Sequence, residues 1–469
     1  MSVFIYLILI LTILLVEINR KKYFTYDFLI AFNFFFLISY ALTPLILASA
    51  ENPKIYFAND LTKGIYYYGD EKTPFLILFS YILFLAGYYN SFFRKKLPVF
   101  IIKPRFQEGS FLKISPFLVA ILLIFMIIYI MQFGGVRETI MAAEAYRSDE
   151  YEPPKFGFVQ RFFPANIVLL YYSFFKAFLD EENKQYKLPY FILFLFSFSY
   201  FLFVFVLYNS RGYLITTLGG LYIITSIVKN RYYLTQIILL SLIGIAIIKI
   251  GDPLFYAIPE LIDNGWESFV TTFSDLVKEG EEEGGFALFV SNFTHPIISL
   301  DLSLKVAGSE DVPFRYFSDF FIAVLSLLPD KLVGFKDPLS VSNINTILNI
   351  GELKGTVLVG ILGFFAYSLG VIGVIIGMFF YGVLGGYLSR FFYENYKVNK
   401  TISVFSYFFI FYYGYFVFRG DPKITLGEVF ILIFIIGVIL LFSDIYIKKS
   451  FDDNKYSKPL LNGDGYGAK

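Results

Sequence analysis

Apolar residues fill long uninterrupted blocks of this chain, each 15 to 23 residues in length. Stretches such as "QIILLSLIGIAIIKI" show neither the alternation of a half-buried strand nor the 3.6-residue period of a half-exposed helix, because they are apolar on every face. A helix needs about 20 such residues to cross the hydrocarbon core of a bilayer. The pattern therefore predicts an all-α protein that crosses a membrane many times. We predict eleven spans, with ten to fourteen as the range, over residues 2–16, 28–50, 74–93, 116–135, 165–179, 190–208, 213–228, 236–250, 371–392, 401–418 and 426–446.

Two further apolar stretches do not fit a simple crossing. "DFFIAVLSLLP" (319–329) is too short and ends at a proline, and "TVLVGILGFFAYSLG" (356–370) runs directly into the span over 371–392. One helix over 356–392 would be about 54 Å long at 1.5 Å per residue, which is more than one crossing requires. Two full crossings would instead move the basic loop after Arg390 to the opposite side. We therefore predict that both stretches are re-entrant or interfacial helices.

Lysine and arginine are enriched in cytoplasmic loops, so their positions set the predicted orientation. The loop 94–115 carries six basic residues and one acidic residue, and we place it in the cytoplasm. An outside amino terminus and an inside carboxyl terminus then put every other strongly basic segment on the same side. These other segments contain Arg20, Lys21, Lys22, Lys229, Arg231, Arg390, Lys397, Lys400, Lys448 and Lys449.

One segment, 251–355, dominates the predicted outer side, with 16 acidic and 6 basic residues. Its length far exceeds that of a simple connection, so we expect it to carry function. The predicted organisation is an N-terminal transmembrane bundle (1–250), this outer loop with its re-entrant helices, C-terminal transmembrane helices (356–449) and a cytoplasmic tail (450–469).

The amino-acid composition excludes several kinds of functional site. Hydrophobic residues make up 57% of the chain and charged residues 16%, well below the roughly 25% charged residues of soluble domains. The chain has no cysteine and a single histidine, which excludes disulfides, thiolate metal sites and multi-histidine metal sites. We expect no cofactor and no metal. The net charge of +1 gives no indication of a nucleic-acid partner, and we expect none.

Three arginines stand at predicted outer turns or beside apolar sequence, against the bias of basic residues toward the cytoplasm. They are Arg211 in "NSRGY", Arg315 in "DVPFRYFSDFF" and Arg419 in "FVFRGDP". An isolated arginine at this level can simply snorkel to lipid headgroups, but three of them favour an anionic partner. A guanidinium suits a phosphate near lipid, since its planar fork donates to two oxygens and it stays charged. Gly212 and Gly420 would let such a ligand approach the backbone.

His295 is the one side chain with an ordinary pKa near neutrality, which makes it a candidate general base. A purely structural hydrogen bond is the alternative for this residue. Asp301, Asp275 and Asp319 are rival carboxylates. The acidic run "KEGEEEGG" (278–285) lacks the ligand spacing of a cation site and is more typical of a solvated loop.

The turn "NSRGYLI", the dominant outer loop and "GTVLVGILGFFAYSLGVIGVIIGMFFYGVLGGYLSRFF" after it resemble the Wzy-type polymerases of O-antigen and capsule polysaccharides. The resemblance covers roughly residues 200 to 425 and rests on a Ser-Arg-Gly turn, a Gly-rich span and a late Arg-Gly pair. Members are also described by an arginine followed ten residues later by glycine in two outer loops. Arg147 and Gly157 have this spacing, which makes Arg147 a further candidate for diphosphate binding, whereas the loop around Arg315 has no clean counterpart.

The resemblance implies a membrane glycosyltransferase with a GT-C-like fold, related to the O-antigen ligases, whose active site faces outward from the cytoplasmic membrane of a bacterium. Its donor would be a glycan on undecaprenyl diphosphate and its acceptor a lipid-linked repeat unit, among membrane lipids and with a chain-length regulator as a candidate partner. Arg211, Arg315 and Arg419 would neutralise the leaving lipid diphosphate without a metal. His295, or else Asp301, would take the proton of the acceptor hydroxyl.

Two alternatives stay open. An O-antigen ligase shares the donor and would pass the finished glycan to a lipid A core. A flippase for lipid-linked oligosaccharides, or another transporter, would need polar residues along the inner half of its spans. Charges within the apolar segments are few, namely Lys176, Lys249 and Glu428, which favours chemistry at one face of the membrane over passage through it.

Overall fold

The computed structural model of the chain is mostly helical. It describes residues 2–50, 72–104, 108–147, 157–181, 184–208, 211–233, 265–282, 293–328, 339–353, 356–441 and 443–448, together with residue 290 and scattered residues between 235 and 264. Within these ranges the helices, in chain order, are α1 (Ser2–Asn19), α2 (Phe28–Leu37), α3 (Thr43–Ser49), α4 (Lys72–Tyr88), α5 (Ser91–Lys96), α6 (Glu108–Phe133), α7 (Val136–Arg147), α8 (Ala165–Phe174), α9 (Lys187–Tyr208), α10 (Arg211–Lys229), α11 (Trp266–Glu282), α12 (His295–Val306), α13 (Asp319–Leu325), α14 (Val341–Ile350), α15 (Gly360–Val398), α16 (Lys400–Arg419) and α17 (Pro422–Leu441). The strands are β1 (Val99–Pro104) and β2 (Ser443–Lys448).

Seven helical stretches of the described chain are long and apolar enough to cross a bilayer. Large apolar side chains on α6 are left uncovered, for example Phe117 and Met131, which are 72% and 73% exposed, as expected of a surface that faces lipid. The structure thus confirms the prediction of a mostly helical, multi-pass membrane protein. The seven stretches are Ser2–Asn19, Phe28–Ser49, Lys72–Phe93, Phe111–Phe133, Val159–Leu179, Lys187–Leu207 and Gly360–Val398.

The remaining predicted spans agree with the structure to different extents. Helices α10 and α16 cover the predicted spans 213–228 and 401–418. The predicted span 236–250 lies largely outside the described residues. Of the two stretches predicted to be re-entrant or interfacial helices, 319–329 contains the short helix α13 in its described part.

A sharp bend breaks helix α15. Leu369 and Gly370 have non-helical backbone angles, and Gly370 has φ 63°, in the left-handed region that glycine adopts readily. The residues before the bend fold back on those after it, because a Cβ on Gly373 would overlap the carbonyl oxygen of Phe365. In a straight helix these two residues would be about 12 Å apart. This agrees with the length argument that residues 356–392 do not form one straight helix. We call residues 360–368 the short arm of α15 and residues 371–398 the long arm.

The long arm crosses α4 at close range through glycines on both helices. A Cβ on Gly382 would overlap the carbonyl oxygen of Phe84, and a Cβ on Gly87 would overlap that of Phe379. Small residues allow such backbone contact between membrane helices, where close packing rather than the hydrophobic effect holds helices together. The crossing fixes the long arm at the centre of the bundle.

The last described part of the chain corrects one prediction. We expected a span over 426–446, but α17 ends at Leu441 and β2 pairs with β1 as an antiparallel strand. In "SDIYIK", Ile445 and Ile447 stand at alternate positions, as on one face of a strand. Asn395 fixes β1 by accepting from the N–H of Ile102 (2.8 Å) and donating to the carbonyl of Phe100 (2.9 Å). Part of the basic loop 94–115 is therefore a strand, in a fold that we predicted to be all-α.

Three of the predicted basic loops meet at one end of the bundle. Lys22 Nζ donates to the hydroxyl of Tyr232 at 3.1 Å, which joins the segment after α1 to the segment after α10. The ring of Phe24 packs edge-on against Tyr396, with 5.6 Å between ring centroids. The basic residues of these loops thus share one end, as their predicted common side requires.

Replacing Gly382 by alanine should loosen the crossing of α4 and α15, because the added methyl group would overlap the carbonyl of Phe84. Gly219→Ala in α10 is the matched control, since no described atom lies within 4 Å of its added Cβ. We expect Gly382→Ala to lower the thermal unfolding midpoint in detergent micelles, at a cost of about 1–3 kcal/mol. Gly219→Ala should leave the midpoint unchanged or slightly raised. Equal midpoints for the two variants would contradict the close packing.

Candidate functional site

The short arm of α15 is the support around which several predicted site residues gather. Its first residue, Gly360, contacts Pro296 of α12 and the backbone of Gly420, the residue after α16. Further along the arm, Gly363 lies against the backbone of Ser299 in α12. The start of α12 and the end of α16 therefore both contact the same residue of the short arm, Gly360.

Arg315 is held by an ion pair in the loop between α12 and α13. Its backbone N–H donates to the carbonyl of Tyr367 in the short arm at 3.1 Å. Its guanidinium forks onto Asp319, with Nε–Oδ2 at 2.6 Å and Nη2–Oδ1 at 2.8 Å, and also donates to the carbonyl of Leu339 at 3.0 Å. Asp319 is buried and the Arg315 side chain is 14% exposed. The bidentate pair fixes the position of Asp319.

Asp319 and Asp421 together cap the amino terminus of α14. Asp319 accepts from the first helical N–H and Asp421 from the second, each at 3.1 Å, and Ser340 completes a capping box. The first N–H groups of a helix have no partner within the helix, and the positive end of its dipole favours carboxylates. The chain's own carboxylates therefore satisfy this helix end, and Arg315 contributes to it through Asp319.

Arg419, at the end of α16, is only partly satisfied. Its Nη1 donates to Glu428 at 2.6 Å, and its guanidinium lies over the ring of Tyr415, 4.9 Å from the centroid. Its Nε is buried and has no hydrogen-bond partner among the described residues. Buried N–H groups nearly always have a partner, and leaving a charged one unpaired is costly. This Nε can still donate to one further acceptor.

His295 is the first residue of α12. Its side chain is 8% exposed, and its Nδ1 finds no hydrogen-bond partner in the part of the chain that the structure describes. Burial lowers the pKa of His295 to about 4, because the cation is poorly solvated there, so the imidazole is neutral at pH 7. The ring of Phe293 packs against Phe418, with 5.5 Å between centroids. His295 and Arg419 are thus each one residue away from a direct contact of Gly360.

Asp301 lies further along α12 and faces a different space. It lines an open cleft of about 500 Å³ between α12, α4 and the start of the long arm. Its carboxylate pairs with Lys305 at 2.5 Å. The cleft combines the basic groups of Lys72 and Lys305 with an apolar wall that includes the half-exposed rings of Phe75 and Phe79. The charged groups that line the cleft are thus two lysines and one aspartate beside apolar side chains.

The structure describes the remaining predicted site residues only in part. Arg211 is the first residue of α10 and Arg147 the last residue of α7, and both side chains lie outside the described residues. Asp275 is on an exposed face of α11, 3.8 Å from Lys278, and the acidic run 278–285 begins in α11 and continues beyond the described residues. Within the described ranges, no group of three or more His, Asp or Glu side chains is arranged to hold a metal.

Reasoning from the sequence missed several partners in this region. Two of them carried a local signal: Lys305 follows Asp301 by four residues on one helix, and Asp421 stands directly before the first residue of α17, a typical capping position. Glu428 stood out as a charge in an apolar segment, but nothing in the sequence paired it with an arginine. Lys72 reaches the cleft from a distant part of the chain and had no local signal.

Fold and site together define the chain as a multi-pass, mostly helical membrane protein. A scan against models of protein families found no match, and neither did searches of curated proteins and of solved structures.

Buried His295 should make the protein less stable in mild acid. Its pKa is about 4 in the folded chain and about 6.5 in an unfolded chain, so the unfolded chain takes up the proton first as the pH falls. The contribution to the free energy of unfolding is therefore constant above about pH 6.5 and decreases below it, by on the order of 3 kcal/mol once the pH reaches about 4. Between about pH 7.5 and about pH 5, the thermal midpoint of the wild type should fall further than that of His295→Gln. An equal fall would contradict a buried, neutral imidazole.

Proposed function

We propose that this chain is a Wzy-type membrane glycosyltransferase that joins oligosaccharide repeat units carried on undecaprenyl diphosphate. The observation that carries the proposal is a pair of buried nitrogens, Nε of Arg419 and Nδ1 of His295, for which the described chain offers no partner. The two residues stand next to Gly420 and Pro296, which both contact Gly360. The first nitrogen is a cationic donor that suits a diphosphate. The second nitrogen accepts a hydroxyl proton when the neutral imidazole carries its hydrogen on Nε2. Glycosyl transfer from a lipid diphosphate needs both groups close together.

Arg419 would stabilise the leaving group. Negative charge grows on the diphosphate as the glycosidic bond breaks, and a guanidinium in a buried setting attracts that charge more strongly than it would in water. Glu428 already holds one end of this guanidinium, which leaves Nε for the ligand. We propose Arg211 and Arg147 as further ligands of the diphosphate, as the resemblance implies. Arg315, paired with Asp319, would instead position the start of α14.

His295 would act as the general base. The oxygen of the acceptor hydroxyl attacks the anomeric carbon of the donor glycan, the bond between that carbon and the diphosphate oxygen breaks, and the lipid diphosphate leaves as an anion. The hydroxyl proton moves to Nδ1 of His295. An imidazole with a pKa of about 4 is a weak base, but a bound diphosphate stabilises the imidazolium and raises that pKa. Asp301 is the second choice, and it is already engaged by Lys305.

The cleft between α4 and α12 supports a substrate that arrives through the lipid. Its apolar wall is open beside Phe75 and Phe79, and Lys72 would attract phosphate, while Lys305 is paired with Asp301. Helix α12 carries the candidate base at its first residue and lines the cleft one to three turns later. A lipid-linked acceptor bound in the cleft would therefore lie on the same helix as the base.

We further propose eleven spans, a GT-C-like arrangement and a site on the outer face of the bacterial cytoplasmic membrane. Helix α16 supports this orientation. It begins at Lys400, beside the end where the basic loops meet, and runs for 20 residues to Arg419, a length of about 30 Å that matches the hydrocarbon core of a bilayer. Because basic loops are enriched in the cytoplasm, Arg419 would lie at the outer face.

Arg419→Lys and Arg211→Lys should each abolish polymer while leaving the protein in the membrane, because a point charge does not replace the planar fork of a guanidinium. Arg231→Lys is the control, since Arg231 is exposed and lies at the end of the bundle where the basic loops meet. The assay uses cells that make lipid-linked repeat units and lack a polymerase of their own, with glycan ladders read on gels and membrane levels read on immunoblots. Normal ladders from both Arg419→Lys and Arg211→Lys would overturn the assignment.

The product of the wild-type protein separates polymerase from the alternatives. A ladder of chain lengths on lipid diphosphate supports the polymerase. Transfer of a finished glycan to a lipid A core, without a ladder on lipid diphosphate, would make the chain a ligase. Movement of a lipid-linked oligosaccharide across vesicle membranes, without a new glycosidic bond, would make it a transporter.

His295→Ala should reduce polymer formation severely while the lipid-linked donor still binds, because the variant loses the proton acceptor and keeps the arginines. Donor binding is measured with the purified protein in micelles, and turnover is measured in the same preparation. Turnover equal to that of the wild type would return His295 to a structural role.

A further inference from the structure

Helix α11 has an apolar face that no part of the described chain buries. Its apolar residues recur at the spacing of one helical face, while acidic and hydroxyl side chains occupy the rest of its surface. Trp266 is 67% exposed, and its ring stacks on that of Phe269 with 5.2 Å between centroids. We call this face the α11 stripe. It consists of Trp266, Phe269, Val270, Phe273, Leu276 and Val277, of which none is classed as buried.

An ion pair places the start of α11 relative to the end of α6. Arg137 Nη2 donates to Asp263 at 2.7 Å. Arg137 follows the end of α6 at Phe133 by four residues, and α6 contains one of the membrane-crossing stretches. Three residues of chain reach at most about 11 Å, so Trp266 starts within that distance of Asp263. The stripe therefore begins beside the end of a membrane span.

The charges of α11 indicate what kind of surface the stripe meets. The helix carries five acidic residues and one basic residue, Lys278, so anionic headgroups would not attract it. Attraction to a membrane would have to come from the apolar stripe, and tryptophan favours the boundary between headgroups and hydrocarbon. An amphipathic helix with a polar opposite face lies along that boundary rather than crossing it.

We propose that α11 lies in the plane of the membrane interface beside the end of α6, with the α11 stripe in the boundary between lipid headgroups and acyl chains. Its acidic face points to the water. The helix would anchor this part of the large loop to the bilayer surface through lipid contact rather than through the protein. The proposal stands independently of the glycosyltransferase assignment, because it requires no substrate.

The test uses the intrinsic fluorescence of Trp266, which is the only tryptophan of the chain. The full-length protein is reconstituted into phosphatidylcholine vesicles whose acyl chains carry bromine either near the headgroup or near the terminal methyl group. We expect blue-shifted emission, strong quenching by the shallow bromines and weaker quenching by the deep ones. Iodide in the water should quench far less than it quenches free tryptophan.

Two other outcomes would overturn the proposal. Full quenching by iodide with none from brominated lipid would place the stripe in water. Protection from both quenchers would place it against protein, such as a second copy of this chain. A pair of variants tests which face of α11 meets the lipid: Phe273→Ser should weaken quenching by the shallow bromines, whereas Thr271→Ser on the exposed polar side should not. Equal quenching in both variants would also contradict the proposed orientation.

Discussion

The contact between the two arms of α15 is the interaction on which this end of the bundle depends. Gly373 and Gly377 leave the space that the backbone and ring of Phe365 occupy, so the short arm can fold back on the long arm. A side chain at either position would fill that space. Without the bend, the short arm would continue away from the bundle, and α12 and α16 would lose the residue, Gly360, that they share.

The charged groups at this end are satisfied to different degrees, and the difference points to function. Arg315 and Asp319 form a closed, bidentate pair that serves the start of α14. Arg419 keeps a buried donor with no partner in the described chain, although burying an unpaired charged donor costs free energy. Arg419 therefore keeps a donor that a bound group could use, whereas the Nε and Nη2 donors of Arg315 are taken by Asp319 and Leu339.

Helices whose sequence pattern lies within one segment could be predicted from the sequence. Elements that depend on a partner far away in the sequence could not. The uniformly apolar blocks predicted helices such as α6 and α9 because their character is fixed within one segment. The break in α15 followed from its length alone. Strand β2 was mistaken for the end of a span because its partner, β1, lies more than 300 residues away in sequence. A strand of six residues cannot be recognised from its own sequence alone, because so short a pattern also fits part of a helix.

The same distinction applies to the candidate site. The i,i+4 spacing of Arg315 and Asp319 was visible in the sequence, yet the sequence could not say whether that arginine faced a ligand or its own carboxylate. The burial of His295, which lowers its pKa, depends on packing between α12 and the short arm. The cleft beside Lys72 needs three separate segments to come together, and no local pattern encodes such an assembly.

Arg419 is proposed to bind a lipid diphosphate beside His295. A cryo-electron microscopy structure of the full-length protein with bound undecaprenyl diphosphate would show whether it does. We expect a diphosphate oxygen within about 3.2 Å of Arg419 Nε, close to the first residue of α12. Diphosphate density at another place, with Arg419 Nε still unpaired, would contradict this proposal.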